Sequence, residues 1–445
     1  MSLVRPRFAL TAVLGLALAA LAAPAARAQS LQELYEAARG YDATYLAARA
    51  LADSAQYRAE QVEALRRPSA SLSSNLTRTE TDLPIAGSSI RGSTGLGVSV
   101  TGRQPLFNRA NDATVEQARK ALDVSRYDLS TAEQDLIVRV AQAYFDVLAA
   151  QDALITTRTA KSAIAEQLAS AKRNFEVGTA TITDTREAQA RFDLATAQEI
   201  AADNDLRTKR IALDVLVGRS NVEPKALPTP IVLPPLQPAV VDEWVGRGDA
   251  EHPAIQRAKL GLDIAELETA KARAGHLPTI DAVGGLSSSH ASSGNGSSLQ
   301  GTTSGASIGV QLSLPLFAGY SIQNRVKETL VLEDKSRNDL EAARRSVAQA
   351  TRQAYFGVQS GQAQVKALEA AESSSQLALE ATQLGYKVGV RVNLDVLNAQ
   401  TQLFNARRDV AKARYDVLLN SLKLRQASGR LQPEDVAEVS RLLAK

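Results

Sequence analysis

The 445-residue sequence contains the same pattern twice, at a spacing of about 210 residues. A Gln-Ala-Tyr-Phe-x-Val segment, a Val-Gly pair followed by an aspartate, and a Pro-Leu-Phe segment each occur once in either half. The matching starting residues are Gln142 and Gln353, Val177 and Val388, and Pro105 and Pro315. Solenoid repeats have periods of roughly 20 to 50 residues. This longer period therefore indicates the duplication of a domain-sized unit, so each half provides a check on the interpretation of the other.

The beginning of the chain is typical of a secretory signal peptide. Arg5 and Arg7 precede an apolar run over residues 8–23, and Ala-Arg-Ala at 26–28 fits a cleavage site before Gln29. A membrane-anchoring helix is the alternative, but the run is short and ends at a proline. We divide the chain into a signal peptide (1–28), a first repeat (29–220), a proline-rich linker (221–239), a second repeat (240–430) and a C-terminal tail (431–445).

The composition argues against an enzyme. The chain has no Cys and three scattered His residues, and it contains no Gly-rich phosphate loop, His-Glu-x-x-His or Gly-x-Ser-x-Gly motif. We therefore expect no catalytic residues, no cofactor and no metal site. The formal net charge of +3 is small for this length and gives no reason to expect a nucleic-acid partner. Aromatic residues make up only 4% of the chain, a composition that favours long helices over a dense aromatic core.

Helical periodicity occupies most of both repeats. In the first repeat we expect helices over residues 31–66, 108–176 and 184–217, and in the second over 241–275, 320–387 and 395–428. The longest segment has no Pro or Gly from Asn108 to Glu176, which corresponds to a rod of roughly 100 Å. In each repeat the two shorter helices together match the long one in length. This agreement predicts that the helices run side by side.

Four segments instead alternate with a period of two. They begin at Ser69, Leu96, Ile280 and Ile308, are about 10 residues long, and form two hairpins, with Gly/Ser-rich residues 287–305 as the tip of the second. One apolar face and one small-polar face suit a transmembrane β-barrel. Four strands cannot close a barrel, since about eight are needed, so two or three chains would have to share it. Soluble hairpins packed on helical bundles are the alternative, and the pattern alone does not decide.

Several segments resemble the TolC family of outer-membrane efflux and secretion channels. They are residues 104–108, the duplicated Ala-Tyr-Phe-x-Val, and the segments 177–184 and 388–395 that each contain Val-Gly followed by Asp. The resemblance covers the whole chain after the signal peptide in the same order. It implies a mixed α and β membrane protein, in which three chains form a twelve-stranded outer-membrane β-barrel with four strands each. A long twelve-helix α-barrel would continue it into the periplasm.

The resemblance also implies a function and partners. The chain would be the passive exit duct of a tripartite efflux or type I secretion system in the outer membrane of a Gram-negative bacterium. Its partners would be two further copies, outer-membrane lipid, a periplasmic adaptor (membrane fusion) protein and an inner-membrane pump of the ABC or RND type. The absence of a Cys for a lipid anchor favours type I secretion by family association. An exported coiled-coil scaffold or adaptor without a barrel is the alternative, although it would not need duplicated strand hairpins.

By the same resemblance, the two Val-Gly turns are the tips of helix hairpins that close the periplasmic end. The tip residues are Val177, Gly178, Val388 and Gly389, and the gate residues are Asp184, Thr183, Tyr386, Arg391, Asp395 and Asn398. Tyr386 and Arg391 would bond to Asp184, assisted by Thr183, and Asp395 would belong to an acidic ring. Asn398 stands where the family has a second acid, which argues against strong cation selectivity. The alternatives are helix capping for the two aspartates, turn geometry for the glycines and simple packing for Tyr386.

Overall fold

The computed structural model describes residues 29–81, 91–226, 235–291 and 301–442, so the expected signal peptide lies outside the described residues. The described residues fall into two compact units. The helical unit takes its residues from 1–46, 132–248 and 348–445, and the strand unit takes its residues from 47–131 and 249–347. None of the helices within the described ranges is both long and apolar enough to cross a bilayer.

The element order repeats once, as the duplicated sequence predicts. The first repeat contains α1 (Leu31–Tyr41), α2 (Ala43–Glu63), β1 (Ser69–Thr81), β2 (Arg91–Phe107), α3 (Arg109–Glu176) and α4 (Ile182–Val217). The second contains α5 (Val241–Glu251), α6 (Pro253–Ala274), β3 (Thr279–Ala291), β4 (Gly301–Ser313), α7 (Ser321–Lys387) and α8 (Asn393–Ala427), and it is followed by α9 (Pro433–Leu442). The two long helices α3 and α7 confirm the predicted uninterrupted segments.

The first helix of each repeat is broken where we expected it to be continuous. Asp42 adopts a non-helical ψ of 114°, and its Oδ1 accepts a hydrogen bond from the Tyr45 N–H at 2.8 Å, so it ends α1 and caps α2. In the second repeat His252 Nδ1 accepts from the Ala254 N–H at 3.1 Å, and Pro253 occupies the first position of α6. The breaks lie 210 residues apart, so both belong to the duplicated pattern.

Asp42 is also held by a bidentate ion pair. The Arg139 guanidinium donates from Nη1 and Nη2 to the two carboxylate oxygens at 3.0 and 2.9 Å. These bonds hold the pKa of the nearly buried Asp42 carboxyl below its ordinary value. Because the pKa of Asp42 is lower in the folded state than in the unfolded state, the ion pair stabilises the fold at pH values above the unfolded pKa of about 3.9. That stabilisation is lost as the pH falls through the folded pKa.

Replacing Arg139 with Ala should therefore lower the free energy of unfolding by about 1–3 kcal/mol at neutral pH, because it leaves a buried carboxylate without its charged donor. This range is lower than for the loss of a fully buried ion pair, because the Arg139 side chain is 40% exposed and solvent screens its charge. Thermal denaturation in detergent checks the loss. The difference between the variant and the parent should shrink below about pH 4, and a pH-independent difference would contradict the ion-pair explanation.

Two helix starts also differ from expectation, and one further helix was not expected. Helix α4 begins at Ile182 and α8 at Asn393, two residues before the aspartates at which we placed their starts. The reason at α4 is that Thr181 is the N-cap, which places Asp184 inside the first turn. Helix α9 lies in the expected tail and packs against α1 in the helical unit, with Val436 and Val439 buried.

The duplicated tyrosines anchor both ends of the proline-rich linker in the helical unit. Tyr144 is fully buried and its hydroxyl donates to the Lys225 carbonyl oxygen at 2.8 Å, while Tyr355 donates to the Ala239 carbonyl oxygen. Around Tyr355, a core cluster forms from Trp244, Val358 and Leu424. The duplicated tyrosines thus belong to the core and also donate hydrogen bonds to carbonyl oxygens of the linker. Backbone carbonyl groups need such a partner when they are buried.

The strand unit contains one antiparallel sheet in the order β1-β2-β3-β4. Its strands are 13 to 17 residues long, which exceeds the expected 10. Strand β3 extends to Ala291, into the segment expected to be a tip, because Ser287 and Ser289 still pair with Gly305 and Thr303. Strand β4 ends at Ser313, so the last residues of the segment of about 10 residues that we expected from Ile308 lie outside it. A proline follows at 315, and proline cannot donate a ladder hydrogen bond.

The register separates the side chains of the sheet onto two faces, because residues paired across strands share a face. The apolar face holds large, exposed aliphatic side chains: Leu72, Leu76, Leu96, Val98, Val100, Leu286, Ile308, Val310 and Leu312. The small-polar face holds Ser, Thr and Gly at most positions, and its hydroxyls pair across strands, as in Ser71 with Thr101 at 2.8 Å and Ser73 with Ser99 at 2.7 Å. The predicted alternation is confirmed.

Candidate functional site

The two helix hairpins of the helical unit end in turns of the same geometry. In the first, the Thr179 and Ala180 N–H groups donate to the Asn174 carbonyl oxygen at 2.8 and 3.2 Å, and Gly178 has a φ of 76°. In the second, the Val390 and Arg391 N–H groups donate to the Gly385 carbonyl oxygen at 2.9 and 3.2 Å. Gly389 there has a φ of 80°. Both glycines adopt the left-handed conformation that side chains disfavour, so they are required by the turn itself.

The tip valines project from these turns. Val177 is 72% exposed and Val388 is 65% exposed. Thr183, just beyond the first turn, is also exposed. Exposed apolar side chains at a turn do not contribute to the core of their own chain. These positions are therefore available for contacts outside the chain.

Asp184 forms a capping box at the start of α4. Its Oδ2 accepts hydrogen bonds from the Thr181 N–H at 2.9 Å and the Thr181 hydroxyl at 2.7 Å. In return the Asp184 N–H donates to Thr181 Oγ1 at 3.2 Å. The carboxylate also lies in the first turn of α4, where negative charge is favoured by the helix dipole. The capping alternative for Asp184 is thus confirmed within one chain.

The expected gate residues of the second hairpin have different partners. Arg391 Nη1 lies 3.6 Å from Asp395 Oδ2, one helical turn further on, and both side chains are partly exposed. Tyr386 Oη accepts from Asn174 Nδ2 at 3.2 Å and its ring packs against the cluster of Leu379, Val396 and Leu403. Tyr386 therefore both packs and joins the two hairpins.

Within one chain, the structure does not bring Arg391 or Tyr386 to the Asp184 carboxylate. Asp184 and Arg391 make contacts within their own turns, and Tyr386 contacts Asn174 of the first hairpin. The expected bond between them stays a prediction about contacts between hairpin pairs. Asn398, the expected neutral position, has a partner on the first hairpin, since its Oδ1 accepts from Arg191 Nη2 at 2.9 Å.

A buried polar contact joins the hairpins and was missed from the sequence. Asn393 is only 1% exposed; its Oδ1 accepts from Gln167 and its Nδ2 donates to the Asp184 carbonyl oxygen at 3.4 Å. The equivalent position in the first repeat is the apolar Ile182. A comparison of the repeats, which shows a polar residue in place of an apolar one at a helix start, could have identified Asn393.

Three polar side-chain contacts link the first hairpin to the second on the side of the turns: Asn174 with Tyr386, Arg191 with Asn398, and Gln167 with Asn393. An apolar contact accompanies them, because Leu397 of α8 is fully buried in a cluster with Ile164, Leu168 and Ala188 of the first hairpin. Polar contacts exchange with water at a net cost of about 0.5–1.5 kcal/mol each, rising for charged groups. Each polar contact can therefore be broken at modest cost, while the packing of Leu397 also holds the two hairpins together.

Comparisons with known proteins agree with this architecture. The model of the family described as "Outer membrane efflux protein" matches residues 34–219 and 244–430, one segment for each repeat. Outer membrane protein TolC of Vibrio cholerae is 31% identical over 414 residues, covering 93% of either chain. Alkaline protease secretion protein AprF of Pseudomonas aeruginosa is 32% identical over 342 residues, covering 76% of this chain and 70% of the relative.

The same fold occurs in a solved structure. The crystal structure of the outer membrane protein VceC from Vibrio cholerae superposes with a TM-score of 0.75 at 19% identity, covering 90% of this chain and 96% of that chain. This likeness confirms the predicted fold class, with long helices and four antiparallel strands per chain. The family model covers most of the chain, in both repeats. The chain therefore belongs to the outer membrane efflux protein family, as its resemblance to TolC predicted.

Proposed function

We propose that three copies of this chain form the outer-membrane exit duct of a tripartite efflux or type I secretion system. Because the chain belongs to the outer membrane efflux protein family, its role is that of an outer-membrane channel. The observation that supports the assembly is the two-faced sheet, which exposes large aliphatic side chains on one side and hydroxyls and glycines on the other. Lipid accepts the first face and water the second.

The edges of the sheet support a shared barrel. Among the described residues, β1 pairs with β2 and β4 pairs with β3, and neither has a second partner strand. In lipid, unpaired backbone groups cost several kcal/mol each, so only a closed barrel is viable. Three chains would supply twelve strands and leave a water-filled lumen, whereas eight strands are normally filled by side chains. We propose that residues 1–28 direct export and are removed.

The mass of the detergent-solubilised protein tests the assembly. Native mass spectrometry or light scattering of protein recovered from the outer-membrane fraction should give three times the mass of the mature chain. Migration in gels should change on heating, since a closed barrel resists detergent until it is unfolded. A stable monomer or dimer would contradict the twelve-stranded assembly. Recovery in the soluble periplasmic fraction would instead favour the scaffold without a barrel.

The energy for transport must come from a partner, because the sequence contains no phosphate-binding loop. We propose a periplasmic adaptor and an inner-membrane pump as these partners. The relatives include the protease secretion proteins AprF and PrtF as well as TolC. The lack of Cys in the sequence agrees, by family association, with type I secretion. A pump of the ABC type is therefore our first expectation and an RND pump our second. Deleting the gene and comparing protein secretion with drug sensitivity distinguishes them, since type I secretion predicts loss of an exported protein.

We further propose that the hairpin turns are the periplasmic gate. The polar contacts between the hairpins, with Arg391 and Asp395 at the second turn, support a closed state that a partner can open. An adaptor would open it by binding the open tip more tightly than the closed one, since only differential affinity shifts an equilibrium. The exposed Val177 and Val388 offer apolar contacts to such a partner.

A further inference from the structure

The small-polar face of the sheet carries one ion pair near the ends of the strands that adjoin the helices. Arg103 Nη2 donates to Asp281 Oδ2 at 2.7 Å, from β2 to β3. The register places Arg103 opposite Ser69 and Asp281 opposite Gln311, both on the small-polar face. The Arg103 side chain is 58% exposed, whereas that of Asp281 is only 8% exposed.

Among the described side chains of the small-polar face, no other carries a charge that compensates this pair, and most are Ser, Thr or Gly. The register assigns one further charged residue to this face, Arg91, which pairs with Thr81 at the opposite end of β2. The second carboxylate oxygen of Asp281, Oδ1, is buried and has no hydrogen-bond partner among the described residues. Asp281 therefore depends on Arg103 for its charge balance. An unpaired buried carboxylate carries a large electrostatic potential.

We infer that the pair of Arg103 and Asp281 sets the charge selectivity of the barrel lumen for small ions and for charged segments of the substrate. This inference rests on the proposed function, because the small-polar face lines a lumen only in a closed barrel. Three chains would place three such pairs around the wall. In an intact pair the two charges cancel, so neither cations nor anions are strongly favoured at this position along the lumen. The loss of Asp281 would leave three exposed arginines in the water-filled space, and the loss of Arg103 would leave three nearly buried carboxylates in its wall.

The test uses two single variants with opposite expected signs. In planar bilayers under a KCl gradient, Arg103→Gln should raise the ratio of potassium to chloride permeability by about twofold or more. Asp281→Asn should lower it by a similar factor. The double variant should return to the ratio of the parent protein, because no net charge remains. Ratios unchanged by both single variants, or shifted by both in the same direction, would overturn the inference.

A matched control lies on the other face of the same sheet. Arg78 forms an ion pair with Glu80 at 3.1 Å, and the register assigns both to the apolar face. Arg78→Gln removes the same charge as Arg103→Gln but not from the lumen. The permeability ratio should stay that of the parent protein. A shift as large as that of Arg103→Gln would mean that the lumenal position is not what matters, and would overturn the inference.

Because the chain has no cysteine, single cysteines allow a separate check of the barrel itself. Charged, water-soluble methanethiosulfonate reagents should modify Ser99→Cys on the small-polar face but not Val98→Cys on the apolar face. If both react alike, the proposed barrel fails. If only Ser99→Cys reacts and the channels conduct, the proposed barrel is supported. The permeability ratios then test the inference about the ion pair independently of the barrel. Arg103→Cys should then gain cation preference with an anionic reagent and lose it with a cationic one.

Discussion

A Val98→Arg variant is expected to assemble poorly or not at all. Val98 is 41% exposed on the apolar face, where its cross-strand neighbours are Ser74 and Ser288. An arginine on the lipid face of a barrel costs about 2–4 kcal/mol at the bilayer midplane. Three copies would bring the cost to about 6–12 kcal/mol per assembly, which is comparable to the whole stability of an ordinary domain. The measurement is the yield of heat-modifiable, gel-resistant trimer after refolding into lipid vesicles.

The adjacent residue provides the control for this prediction. Ser99→Arg introduces the same side chain one position further along β2, on the small-polar face, where water can solvate it. Its expected cost is limited to the Ser73 contact, about 0.5–1.5 kcal/mol. The second hairpin offers an independent pair, Val310→Arg against Gln311→Arg, with the same expected difference. Equal yields within both pairs would reject the assignment of the apolar face to lipid.

The double substitution of Arg391→Ser and Tyr386→Phe should raise the single-channel conductance several-fold without loss of the trimer. It removes the ion pair to Asp395 and the hydroxyl that accepts from Asn174. Arg391 is 61% exposed, so each contact is taken at about 0.5–1 kcal/mol. The Arg391–Asp395 pair lies within one turn, so the contacts counted for the closed state are Tyr386 with Asn174 and the predicted bond of Arg391 to a neighbouring hairpin pair. Six such contacts in three chains amount to about 3–6 kcal/mol. Moving a two-state population from 1:99 to 99:1 takes about 5.5 kcal/mol, so the open state should become substantially populated.

An exposed arginine on α8, away from the turn, serves as the control. Arg408 pairs with Asp409 at 3.1 Å and is 54% exposed, away from the turns. Arg408→Ser should leave the conductance at the level of the parent protein. An unchanged conductance in the Arg391 and Tyr386 double variant, with the trimer verified by mass, would show that these side chains serve only the turn and the packing.

The sequence predicted those features of the fold that depend on periodicity. Alternation separated Val98 from Ser99 correctly, and an uninterrupted helical pattern located α3 and α7 within about one residue. The breaks at Asp42 and His252 were missed because they depend on local side-chain capping, which competes with helical periodicity over a single turn. Pro253 was a usable signal, since proline favours the first position of a helix.

The candidate site was predictable only in part, for a related reason. The turn glycines Gly178 and Gly389 follow from local backbone geometry, which a short motif specifies. The contact between Gln167 and Asn393 joins residues 226 positions apart, and neither residue has a spacing that indicates the other. Such a contact depends on how the helices pack against one another. The periodicity of residues along one helix does not contain this information. Only the duplication, with Ile182 at the equivalent position, gave indirect access to it.

If the small-polar face lines the proposed lumen, it has a consequence for an unfolded polypeptide that passes along it. An unfolded polypeptide carries leucines and phenylalanines that bind wherever they can leave water. The hydroxyls of this face pair across the strands, Ser71 with Thr101 and Ser73 with Ser99. They offer such side chains no apolar surface. A wall of this kind is non-adhesive, so cargo gains no binding energy by stopping. The rate of passage is then set by the force applied at the entrance rather than by affinity for the wall.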